Sequence, residues 1–187
     1  MKYTDQIISK MDEQKLLKYD RDVYIYGLNN GLMLFINLIT SLVIALIVHQ
    51  FWALVIFLVC FMPLRSYCGG IHSHSRIVCY IISNLIILAV LLSYQYLYSF
   101  FIYIGAFSFC CFIYLCITKP INNKKRNLDS SEIKVFQKIK LAILVLELFI
   151  FGLLFLIIPK YSIIVLLAIV LVFFLVIIEK LYLYIVR

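Results

Sequence analysis

The run Ile77–Thr118 reads IVCYIISNLIILAVLLSYQYLYSFFIYIGAFSFCCFIYLCIT, 42 residues without one Asp, Glu, Lys or Arg. A helical bilayer crossing takes about 20 mostly apolar residues, so this run is long enough for two crossings and a short turn. Hydrocarbon offers the backbone no hydrogen-bond partner, which leaves helices or a closed barrel as the spanning structures. The period-two alternation of barrel strands is absent here. The run therefore reads as a pair of membrane helices joined near Ser93–Ser99.

The rest of the chain repeats the pattern. Val23–Leu64 is a second run of 42 residues without an acidic or basic side chain, joined at His49-Gln50. Leu141–Pro159, interrupted only by Glu147, and Tyr161–Ile178 supply one crossing each. The expected spans are 30–48, 51–64, 77–94, 99–118, 141–158 and 161–179. The fold class is all-α: a polytopic membrane protein of about six helices, with residues 1–187 as a single membrane domain. Composition agrees, since 65% of the 187 residues are hydrophobic and 14% charged, with a mean hydropathy of +1.08. Soluble domains run near 45–50% apolar, so a soluble globular protein, a disordered chain and a coiled coil are all excluded.

The charges that remain are grouped. Of 17 Lys and Arg, only Lys160 falls on the outer side if both termini are cytoplasmic. The positive-inside bias makes that the expected orientation. Cys60, Cys110, Cys111 and Cys116 fall in apolar runs and read as small packing groups. Cys68 and Cys79 flank a short polar segment on the reducing side, so no disulfide framework is expected. The segment 1–26 carries Ile7, Ile8 and Met11 on one helical face and reads as an interfacial amphipathic helix on anionic lipid, with a solvated lead-in as the alternative. It has no signal-peptide pattern. The segment 119–140 reads as a polar, basic cytoplasmic loop with its cluster at Lys124, Lys125 and Arg126.

The candidate chemistry lies in the junction 63–76 and the start of the next span, PLRSYCGGIHSHSRIVC from Pro63 to Cys79. Polar residues are costly at membrane depth, so their concentration here invites a functional reading. His72 can serve as a base near neutral pH, and Cys79 can serve as a nucleophile if an imidazole generates its thiolate. Seven helical residues separate their backbones by about 10 Å, so the pair meets only if Gly69-Gly70 bend the chain. Two other readings stay open on the residues alone. His72 and His74 can be interfacial polar groups with Cys79 as packing, or Cys68, His72, His74 and Cys79 can be metal ligands, although their spacing follows no zinc motif. Glu147 is a separate flag: an intramembrane acid marks an ion or proton pathway unless it reaches the interface from a helix end.

The run Arg65-x-x-x-Gly69-Gly70-x-His72-x(6)-Cys79, set between two hydrophobic helices, resembles the AgrB family of membrane-embedded cysteine endopeptidases. The later run Pro120-Ile-Asn-Asn-Lys-Lys-Arg-Asn-Leu, which ends a span and opens a basic loop, is similar to the second recurring segment of that family. The resemblance covers the whole chain. Ser73 stands where members usually have alanine, and His74 matches no family position. The resemblance implies a thiol protease of the bacterial cell membrane acting in quorum sensing. It would cut the C-terminal tail from a membrane-bound AgrD-like propeptide and close a thiolactone or lactone ring through a thioester on the enzyme. It implies His72 and Cys79 as the catalytic pair, at the cytoplasmic side, and no cofactor or metal. Gly69, Gly70, Arg65 and Ser83 are the expected supporting residues. Arg76, Lys124, Lys125 and Arg126 are expected to attract an acidic tail. Lipid and the propeptide are the expected partners, a second copy of the chain is a candidate partner, and nucleic acid is not. The reading from a different class is a small transporter or peptide exporter with Glu147 and the histidines as its polar pathway.

Overall fold

In the computed structural model the described residues are 21–68, 76–119 and 130–185, and they form six α-helices. These are α1 (Arg21–Ile47), α2 (Phe51–Cys68), α3 (Arg76–Leu97), α4 (Phe101–Ile117), α5 (Ser130–Ile157) and α6 (Pro159–Ile185). No strand occurs among the described residues. Five stretches are long and apolar enough to cross a membrane. One of them, Ile77–Ile117, is 41 residues long and holds both α3 and α4. A 3-10 turn at Tyr98–Phe100 separates the two, with Phe100 at φ −105°, ψ 23°. The charge-free run that announced two crossings is thus divided at the C-terminal edge of its expected turn, Ser93–Ser99.

Helix boundaries follow backbone chemistry more closely than hydropathy. At the end of α1, His49 takes φ 56°. Its N–H donates to Leu46 O and that of Gln50 to Ala45 O, the 5→2 and 6→1 pair of a Schellman turn. Gln50 O then accepts the N–H of Leu54 and starts α2. α2 continues through Pro63 to Cys68, so the polar junction begins inside a helix rather than at its end. α5 begins at Ser130, which corrects the polar loop expected over 119–140. Residues 130–140 extend the fifth span as a helix. Ile158 alone separates α5 from α6, and Pro159 opens α6, where its missing N–H costs nothing.

α6 is the central helix. It packs against α2, α3, α4 and α5, and Ser162–Leu166, Ala168, Ile169, Val172 and Val176 are all buried. α1 packs mainly on α3 and α2 and leaves most of its described apolar side chains outward, as a lipid-facing helix does. Side-chain pairs define two ends of the bundle. One end groups Gln50 with Tyr94 through a 2.6 Å bond and Tyr94 with Tyr161 through stacked rings. The other groups Tyr67 with Phe136, Lys140 with Thr118, and Lys180 with Tyr114. α1, α3 and α5 therefore run one way and α2, α4 and α6 the other. All six cysteines are free thiols.

Candidate functional site

Cys79 sits in the first turn of α3 and is half-buried. The turn lies at the Tyr67–Phe136 end of the bundle, and His72 precedes it in the sequence. Periodicity places Ser83, also half-buried, one turn later on the same stripe. That stripe continues through the buried Ile87, Val90, Leu91 and Tyr94. Cys79 is thus the end of the inward face of α3, at the point where the face meets the polar end of the bundle. The first N–H groups of any helix lack intrahelical acceptors, so the backbone around Cys79 offers donors at the same place.

The helix is held beside α1 by polar side chains. Thr40 donates to Ile36 O at 2.9 Å, which commits its proton, so the 2.8 Å contact with Tyr80 has the tyrosine hydroxyl donating. One turn further, Asn84 Nδ2 donates to Asn37 Oδ1 at 2.7 Å and to Tyr80 O at 2.9 Å. Of these four residues Tyr80 and Asn84 share α3 with Cys79, and none was singled out from the sequence. The available signal was two asparagines inside charge-free runs, where an amide needs a partner on a neighbouring helix.

Of the expected site residues, the structure describes Arg65, Cys79 and Ser83, and the backbone of Arg76 at the start of α3. Gly69, Gly70, His72, His74, Lys124, Lys125 and Arg126 lie outside the described residues, as do residues 1–20 of the expected interfacial helix. Arg65 is half-buried, with its guanidinium 5.8 Å from the Phe61 ring centroid and within electrostatic reach of Glu179 on α6. It ties α2 to the central helix. Cys68 is buried beside Lys140 and Cys116. Among the described residues no three His, Cys, Asp or Glu side chains come together as a metal site would require.

Two buried charged residues lie on the inner face of α5. Lys140 is 1% exposed and donates to the carbonyl of Thr118, just past the end of α4, where a cation suits the helix terminus. Glu147 is also 1% exposed. It lies well inside Ser130–Ile157 and not at a helix end from which it could reach the interface.

The family model for Accessory gene regulator B matches residues 3–181. The chain belongs to the AgrB family. Comparison with curated proteins and with solved structures returns no match. Membership and the apolar helices make the chain a membrane-embedded protein with a role in processing an autoinducing peptide. The match spans α1 to α6 and includes the junction with His72 and Cys79. An AgrB protein has an AgrD-like propeptide as its substrate, and that substrate is met in the membrane.

Proposed function

We propose that this AgrB protein is a membrane cysteine endopeptidase that cuts the C-terminal tail from an AgrD-like propeptide and cyclises the product. The observation that carries the reading is the position of Cys79. Among the cysteines it is the one placed in a helix's first turn, half-exposed, directly after the segment that carries His72. Cys60, Cys68 and Cys111 are buried packing groups by contrast.

In this reading His72 takes the proton from the Cys79 thiol, and the thiolate attacks the carbonyl carbon before the tail. The N–H groups of the first turn of α3, which lack intrahelical acceptors, are the donors for the oxyanion that forms. Collapse breaks the C–N bond, and His72 returns its proton to the departing amine. The peptide is then a thioester on Cys79. An internal Cys or Ser of the peptide attacks that thioester, closes the ring and releases Cys79. Exclusion of water by lipid and the packed helices favours ring closure over hydrolysis. Arg76, Lys124, Lys125 and Arg126 attract an acidic tail. The distribution of basic residues supports cytoplasmic termini and a cytoplasmic site.

The test supplies the purified enzyme with a propeptide whose ring-forming nucleophile is replaced by Ala. The expected result is a covalent adduct on Cys79, mapped by mass spectrometry and released by hydroxylamine, with no cleavage by Cys79→Ser. An adduct on another residue, or normal cleavage by Cys79→Ser, would reject the mechanism.

A further inference from the structure

The proposed processing mechanism makes no use of Glu147. This residue lies near the middle of the apolar stretch Glu132–Ile157, is 1% exposed, and neither of its carboxyl oxygens has a hydrogen-bond partner. Lys140 shares its face of α5, but seven residues earlier is about 10 Å along the axis, and its ammonium is turned to Thr118 O. The ionisable groups around Glu147 on α2 are Cys60 and Cys68, both within electrostatic reach. α4 brings Cys116 beside Lys140 and Cys68. α6 brings Tyr161 at one end of the bundle, and Glu179 near Arg65 with Lys180 on Tyr114 at the other.

A bare carboxylate at this depth is strongly disfavoured, so a cation must accompany it. A hard metal ion takes several oxygen ligands, commonly more than one carboxylate, and among the described residues no three His, Cys, Asp or Glu side chains come together. A proton needs one oxygen only. Two routes approach the site. From the polar end of the bundle, Cys68 is within electrostatic reach of Lys140 and Cys116 and also of Glu147. On the lipid side, Cys60 is at once a neighbour of Glu147 and part of an apolar groove between α2 and α5, with Val59, Phe149, Ile150 and Leu153.

We propose that Glu147 is a proton-binding site at mid-bilayer depth, filled from the polar end of the bundle and open to hydrophobic reagents through the α2–α5 groove. The site is independent of the peptide-processing reading. As a neutral acid next to Cys60, which lines that groove, it takes a hydrophobic carbodiimide that enters from lipid. The carboxyl proton passes to one carbodiimide nitrogen while a carboxyl oxygen bonds to the central carbon. The acyl group then migrates from oxygen to nitrogen and leaves a stable N-acylurea that contains the whole reagent.

The experiment treats the full-length protein in liposomes with dicyclohexylcarbodiimide between about pH 6 and pH 9, where proton occupancy of a titrating acid changes about tenfold per unit. Adducts are located by peptide mass spectrometry. The expected result is an adduct gaining the intact reagent mass at Glu147, absent in Glu147→Gln. Its rate of formation should fall about tenfold per pH unit over part of that range. Size-exclusion chromatography confirms that both proteins are folded. No adduct on folded wild-type protein would overturn the proposal, and so would a rate independent of pH, since a sealed acid exchanges nothing. Protection by sodium at fixed pH would replace the proton by a metal ion and overturn it as well.

Discussion

The amide pair Asn37–Asn84 offers a quantitative test of how α1 is attached to the helix that carries Cys79. α1 makes its main contacts with α3 and α2, and with lipid outside there is no hydrophobic gain in pressing it inward. Its bonds to α3 include those from Asn84 Nδ2 to Asn37 Oδ1 at 2.7 Å and between Tyr80 and Thr40 at 2.8 Å. Interhelical hydrogen bonds in membranes average about 0.6 kcal/mol and reach about 1.7 kcal/mol. The short, neutral amide bond should fall within those limits. Asn84→Ala is the costlier single change. It strips Asn37 Oδ1 of its donor, whereas Asn37→Ala leaves Asn84 Nδ2 bonded to Tyr80 O at 2.9 Å. A double-mutant cycle of Asn37→Ala and Asn84→Ala, read by steric trapping in bicelles, should give a coupling of about 0.6–1.7 kcal/mol. A second cycle pairing Asn37→Ala with Tyr94→Phe is the control, because Tyr94 bonds Gln50 at the far end. It should be additive to within about 0.5 kcal/mol. A coupling of zero for Asn37 and Asn84 in folded protein would refute the claim that polar bonds hold this seam.

Two further outcomes are expected. Leu144 is 0% exposed and Leu156 is 84% exposed, both on α5, so the same Leu→Ala change separates packing from lipid contact. Leu144→Ala should lower the unfolding free energy by about 1–3 kcal/mol, below the usual soluble-core range because lipid is as apolar as the core and only the cavity remains costly. Leu156→Ala should change it by under about 0.5 kcal/mol in the same denaturation measurement. An impermeant thiol label on intact cells should reach cysteines placed at Gln50, Gln95 and Lys160 and miss those placed at Tyr67 and Asn123; labelling at Asn123 from outside would reverse the orientation.

The spans were legible because charge is nearly forbidden in hydrocarbon, so runs without it measure bilayer crossings directly. What the runs could not mark was where a helix stops. α2 runs on through Arg65, Ser66 and Tyr67, and α6 runs on past Glu179 and Lys180, since an α-helix satisfies its backbone equally well in water and in lipid. The turn at His49 was legible for a different reason: a pair of polar residues breaks an apolar run there. Its left-handed backbone was not, because a histidine carries no signature for positive φ as a glycine would. At the candidate site, residue types and spacing alone left His72 and Cys79 open between catalysis, packing and metal binding, and the resemblance to AgrB singled them out. The amide and hydroxyl bonds of α1 to α3 were not legible, because pairing Asn37 with Asn84 requires the register between two helices 47 residues apart.

The start of α5 shows the physical cause of the largest miss. Its inward stripe runs Ile133, Phe136, Lys140, Leu144, Glu147, Phe151 and Leu154, at helical spacings of three and four. Two of those seven positions carry a Lys and a Glu, so a hydrophobic pattern breaks there and the eye sees a charged loop followed by an apolar span. In the folded chain both are buried, and the helix is continuous through them. Lys140 is tolerated because the backbone just past the end of α4 supplies a carbonyl for its ammonium. Glu147 has no such partner. Of the two exceptions to the pattern, one is therefore accounted for by a contact that holds two helices together, and the other is left needing a ligand. That asymmetry is why the proton site is placed at Glu147 and not at Lys140, and why Glu147→Gln, which keeps the shape and removes the exchangeable acid, is the substitution that isolates it.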